Sequence, residues 1–95
     1  MSVQRAMAQA ALLRDLRARQ LAVLCTTYPA WDVDCERDPS GHLWWTAELR
    51  RPITLELVTA GVMRTVQRED AIALASALAW QSALVHSVRD RTGSP

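Results

Sequence analysis

The sequence has no Lys, no Asn and no Phe, and only three Gly among its 95 residues. Each shortage removes a class of function. With glycine confined to Gly41, Gly61 and Gly93, no loop can gather several backbone N–H groups around a phosphate. No dinucleotide fingerprint, P-loop, nucleophile elbow or HExxH pattern occurs. The two cysteines, Cys25 and Cys35, lie ten positions apart without a CxxC pair or a secretory pattern, so reduced thiols are expected rather than a disulfide. An excess of one charge is missing too. Eleven Arg face ten Asp plus Glu for a net charge of +1, so no global field draws the chain to nucleic acid or to an anionic membrane. The run Ala71 to Trp80 is too short and too weakly apolar to cross ~30 Å of hydrocarbon. The Arg- and Ala-rich stretch Ser2 to Leu24 carries Asp15, which does not suit a transit peptide. A cytoplasmic protein is expected, not a membrane protein.

Arg and Ala are abundant, a skew that matches codon use in a GC-rich bacterial genome. Apolar residues make up 49% of the chain, enough for one core. A domain of this length buries roughly 60–65% of its unfolded surface. A single domain over residues 1–92 is expected, with 93–95 as a flexible tail.

Met7, Ala10, Leu13, Leu16, Leu21 and Leu24 recur at the three-and-four spacing of a helix with one buried stripe, and Pro29 sets its end. Trp31, Val33 and Cys35 then alternate with Asp32, Asp34 and Glu36, the period of a half-buried strand. Asp38-Pro39-Ser40-Gly41 reads as a type I turn with Gly41 left-handed in a bulge. That turn sets Cys35 opposite Trp45, Val33 opposite Ala47 and Trp31 opposite Leu49, all on one apolar face. Ile53 to Thr59 reads either as a strand or as a short helix capped by Thr54 and ended by Gly61, and the helix is the preferred reading. Val62 to Gln67 reads as a third strand. Glu69 and Asp70 open a last helix that Arg89, Arg91 and Gly93 close.

Three clusters invite a functional reading. Asp32, Asp34 and Glu36 form a row of carboxylates that suits a divalent cation only if further oxygen ligands converge; a solvated strand face is the expected state, and no cofactor or metal site is expected. Cys25, Cys35, His42 and His86 lack the short spacings of a zinc site, and Cys35 reads as a small buried hydrophobe with no positive group adjoining it. On the last helix, Leu74, Leu78, Val85 and Val88 lie on one stripe while Ala73, Ala77, Trp80 and Leu84 lie on another. The first suits the core and the second a partner.

The order of helix, strands and helix resembles the double-stranded-RNA-binding domain, if residues 53–58 are its third strand. Glu69 and Asp70 stand where that family has Lys-rich phosphate contacts, so its activity does not carry over. The runs Tyr28 to Trp31, Gly41 to Ala47, and Thr54 through Ala60-Gly61 to Val66 resemble short uncharacterised proteins of high-GC actinobacteria, over about two thirds of the chain. That resemblance implies an α+β fold and no assigned activity.

These readings converge on a two-layer α+β domain, a small antiparallel sheet of three strands with the N- and C-terminal helices packed on one face. A non-catalytic interaction module is expected, not an enzyme. Its partner is a second copy or an unidentified protein, engaged through Trp44, Trp80, Leu84, Ala73 and Ala77. Small-ligand or metal binding at the acidic row and Trp44 ranks second. Nucleic-acid binding through the arginines of the first helix ranks third.

Overall fold

The computed structural model describes residues 3–93, with side chains to residue 90. Its elements run α1 (Val3–Thr27), β1 (Trp31–Arg37), β2 (Leu43–Leu49), α2 (Leu55–Ala60), β3 (Thr65–Arg68) and α3 (Ala71–Gly93). The hairpin forms around the turn its sequence dictates. Gly41 takes φ 89° and donates to the Asp38 carbonyl at 2.9 Å, and the Asp38 N–H closes the loop on His42 O at 2.9 Å. The register is Trp31 on Leu49, Val33 on Ala47 and Cys35 on Trp45, as the turn predicts.

β3 begins at Thr65, three residues later than the sequence suggests. The preceding backbone groups are already used: Val62 N–H bonds Leu57 O at 2.9 Å and Met63 N–H bonds the Gln81 Oε1 at 2.7 Å. Val62 and Val66 nonetheless both face the core. The strands run antiparallel in the order β1-β2-β3.

The segment of two readings is helical. The Thr54 Oγ1 accepts from Leu57 N–H at 3.2 Å. At the other end Gly61, at φ 98°, donates to Val58 O while Val62 donates to Leu57 O, a Schellman pair that only a residue tolerant of positive φ closes cheaply. In α3 the cap is Asp70, whose Oδ1 accepts from Ala73 N–H at 2.7 Å. The helix includes Gly93, expected as the start of a tail; no proline intervenes before Pro95, and Ser94 and Pro95 lie outside the described residues. Ala71–Asp90 is long and apolar enough to cross a membrane by length and composition, a longer span than the ten-residue run apparent in the sequence. One side of it is core: Ala71, Leu74, Leu78, Gln81, Val85 and Val88 are buried.

The helices lie on one face of the sheet, so the fold is a small two-layer α+β domain. α3 covers β2 and β3, α2 packs on α3, and α1 covers β1. Trp31, Val66, Leu74 and Leu78 are the largest side chains wholly removed from water.

The packing of α1 departs from expectation. Of its predicted stripe only Leu24 is buried and Leu21 half-buried, while Met7, Leu13 and Leu16 stand in water. For Met7 and Leu13 the reason is length, and for Leu16 it is direction, since that side chain stands on the side of α1 turned away from β1. Twenty-five helical residues span about 37 Å, and the seven of β1 about 23 Å, so the sheet ends before the helix does. The molecule accordingly measures 65 × 25 × 17 Å.

Candidate interaction surfaces

The open face of the sheet carries the acidic row. Asp32, Asp34 and Glu36 of β1 stand beside Trp44, Thr46 and Glu48 of β2 and Thr65 and Gln67 of β3. The row is held at its margins, because Arg50 pairs with Asp32 at 3.0 Å and Arg64 with Glu48 at 3.8 Å. Strand rise keeps alternate carboxylates ~7 Å apart, too far to surround one ion. Among the described residues no three His, Cys, Asp or Glu converge on a point that can hold a metal.

Trp44 stands at the hairpin end of that face. Its indole N–H donates to the Asp38 Oδ2 at 3.0 Å, and its ring lies 4.5 Å from that of His42 at 59°. The other Asp38 oxygen accepts from the backbone of Ser40 and His42 at 3.0 Å each and from the Ser40 hydroxyl at 2.6 Å. The Ser40 and Trp44 donors, with the two backbone N–H groups, hold the Asp38 carboxyl down at about 2. The half-buried Trp44 is thus spoken for by its own turn.

The second stripe of α3 is divided. Ala73, Ala77 and Leu84 are half-buried, and a Cβ placed on Gly61 would stand 3.6 Å from the Leu84 Cδ1, so the end of α2 lies over that flank. Trp80 alone points outward, 65% exposed. Trp44 and Trp80 therefore sit on opposite faces of the two-layer domain and form no common surface.

The thiols sit under α1. Cys25 Sγ lies 3.8 Å from Val33 O, and Cys35 occupies the apolar face; both are free. Burial pushes the Cys35 thiol up and outweighs the lowering by Arg17. Arg17 acts on Cys35 through its charge because α1 folds across β1, a proximity the sequence did not indicate. His42 belongs to the hairpin and His86 pairs with Asp90 at 3.5 Å along α3, so the four soft ligands are not gathered.

Gln81 has no forerunner in the sequence analysis. Only 5% exposed in the middle of the α3 core stripe, it accepts from Met63 N–H and donates its Nε2 to Gly61 O at 3.4 Å. Its one legible signal is position, a glutamine at the core spacing between Leu78 and Val85.

Among the described residues, the large apolar side chains left in water are mostly on the helices. On α1 the exposed side chains are Val3, Met7, Leu12, Leu13, Leu16 and Val23. On α3, Ile72 and Trp80 are exposed. Where the end of α1 meets the start of α3, the Tyr28 hydroxyl donates to Ala75 O at 3.4 Å. Beside that junction lies a shallow apolar groove walled chiefly by Val23, Leu24, Ala71, Ile72 and Ala75. Compared with protein-family models, with curated proteins and with solved structures, the chain shows no match.

Proposed function

We propose that the protein is a non-catalytic interaction module that self-associates through the apolar side chains its helices leave in water. The observation that carries this reading is the uncovered surface of α1, where Leu12, Leu13 and Leu16 are 67%, 65% and 53% exposed on a helix that the domain meets on one side only and over part of its length. Scattered exposed leucines are ordinary, but a contiguous set on a projecting helix has the character of a contact surface. The polar, ion-paired face of the sheet is the solvated side in this reading. Trp80, large and amphipathic, adds an anchor on the same helical layer.

The test is mass in solution. Light scattering from micromolar to millimolar concentration should show a mass rising above the monomer's 10.6 kDa. A monomer throughout that range would falsify the reading.

A further inference from the structure

We propose that α1 pairs with the α1 of a second copy in antiparallel order, through a heptad strip that includes Leu12, Leu16 and Val23. This rests on the self-association reading and names its interface. Along α1 the positions Arg5, Gln9, Leu12, Leu16, Arg19 and Val23 follow one another at spacings of four, three, four, three and four, the spacing of a coiled-coil seam, with apolar residues at three of the six. Every one of them is exposed. The strip lies on the side of α1 turned away from β1, since the residues that meet the domain, Leu21, Leu24 and Cys25, lie on the other side of the helix. At its C-terminal end the strip borders the start of α3, since Arg19 and Val23 share a groove with Ala71, Ile72 and Ala75.

The order of residues selects both the partner and its direction. Two copies set antiparallel about Arg14 place Leu12 opposite Leu16 twice, at the centre of the seam. The next layers place Gln9 opposite Arg19, where a side-chain carbonyl meets a guanidinium. The outermost layers set the aliphatic stem of Arg5 against Val23, beside the groove that Ile72 and Ala75 complete. No arginine faces another. A parallel pair stacks Arg5 on Arg5 and Arg19 on Arg19, so like charges disfavour that direction.

Pairing through the sheet edge is disfavoured by the same kind of accounting. An antiparallel β1 pair centred on Asp34 sets Asp34 on Asp34 and Asp32 on Glu36, like charge opposite like charge. The helix is left as the self-complementary surface.

Its area suits a modest dimer. Leu12, Leu13, Leu16, Val23 and Ile72 are between 53% and 78% exposed. At roughly 60–120 Å² for each fully exposed aliphatic side chain, those exposures leave about 200–400 Å² of apolar surface per copy. With the stems of the flanking Arg and Gln, this reaches the low end of specific interfaces, below ~1,200 Å² in total. The expected dissociation constant is micromolar.

Sedimentation velocity on the full chain tests the seam. The wild type should pass from monomer to dimer, and Leu16→Asp should remain monomeric with an unchanged circular dichroism spectrum. Gln9→Glu should tighten the dimer severalfold, because the new carboxylate faces Arg19 of the other copy, and high salt should remove the gain. Gln9→Arg should weaken it. If the chain dimerises but Leu16→Asp and both Gln9 variants leave the dimer unchanged, the seam is wrong and self-association stands. If wild type stays monomeric, or does so and binds anionic vesicles or an acidic helical peptide through α1, the seam and the reading it rests on both fall.

Discussion

Asp38 shows how one side chain holds a local structure together through its ionised form. Its folded pKa of about 2 lies below the ordinary carboxylate value of 3.8. A depressed pKa means that the contribution is fully present above the ordinary value and is lost as pH falls through the folded one. The hairpin should therefore keep its geometry to below pH 4 and lose this support near pH 2. An NMR titration should place the Asp38 midpoint near 2 in the wild type. In Trp44→Phe, which keeps a ring beside His42 but deletes the indole donor, the midpoint should move up. An unmoved midpoint would show that the indole does not matter to the carboxylate. Gln81 holds a different kind of post. Gln81→Leu suits the apolar surroundings but leaves Met63 N–H and Gly61 O without their partner, so it should cost about 1–3 kcal/mol. Urea denaturation measures that loss, and a neutral result would mean water replaces the amide.

At the scale of elements, α2 is the least self-sufficient piece. Six residues cannot sustain a helix by propensity, so its ends and its packing on α3 must hold it. Thr54→Ala should cost ~1 kcal/mol by removing the acceptor for Leu57 N–H. Gly61→Ala should cost ~1–2 kcal/mol for the positive φ. The added methyl would meet only Leu84 at 3.6 Å, an ordinary contact, so strain and not a clash is the cause. Both effects can be read from thermal melts. Should Gly61→Ala prove neutral, the left-handed turn would not be the state that closes α2. β3 is equally dependent on its surroundings. Its start at Thr65 is decided by Gln81 and by the end of α2, which occupy the backbone groups a longer strand would need.

Over the whole molecule, stability and association draw on different residues. Leu78 is fully buried beneath the sheet, and Leu78→Ala should cost about 2–5 kcal/mol. Leu12 is 67% exposed on the overhang, and Leu12→Ser should change the stability of the dilute monomer by no more than ~0.5 kcal/mol. The same change should remove the rise of melting temperature with concentration that a self-associating chain displays. Finding the monomer strongly destabilised by Leu12→Ser would mean that α1 folds back onto the domain in solution. The two mutations separate a residue that makes the fold from one that the fold merely displays.

What the sequence determined by itself were the features governed by neighbours along the chain. The Asp38 to Gly41 turn and the alternation of Trp31, Val33 and Cys35 were enough to set the hairpin register, because a slip of one residue would turn Asp34 toward the core. Thr54 and Gly61 likewise marked the ends of α2, and Leu74, Leu78, Val85 and Val88 marked the buried side of α3. Tertiary structure decided what depends on how far one element reaches over another. Met7 and Leu13 belong to the same predicted stripe as Leu21 and Leu24, yet they stay in water because β1 is shorter than α1, and Leu16 stays in water because it faces away from β1. Trp80 and Leu84 share a stripe in sequence, and α2 covers only one of them. Gln81 is marked in the sequence only by its core position, because its partners at Gly61 and Met63 reach it only when α2 and β3 are in place. Periodicity states which sides of a helix are apolar, and only the assembled layers state which of those sides are covered.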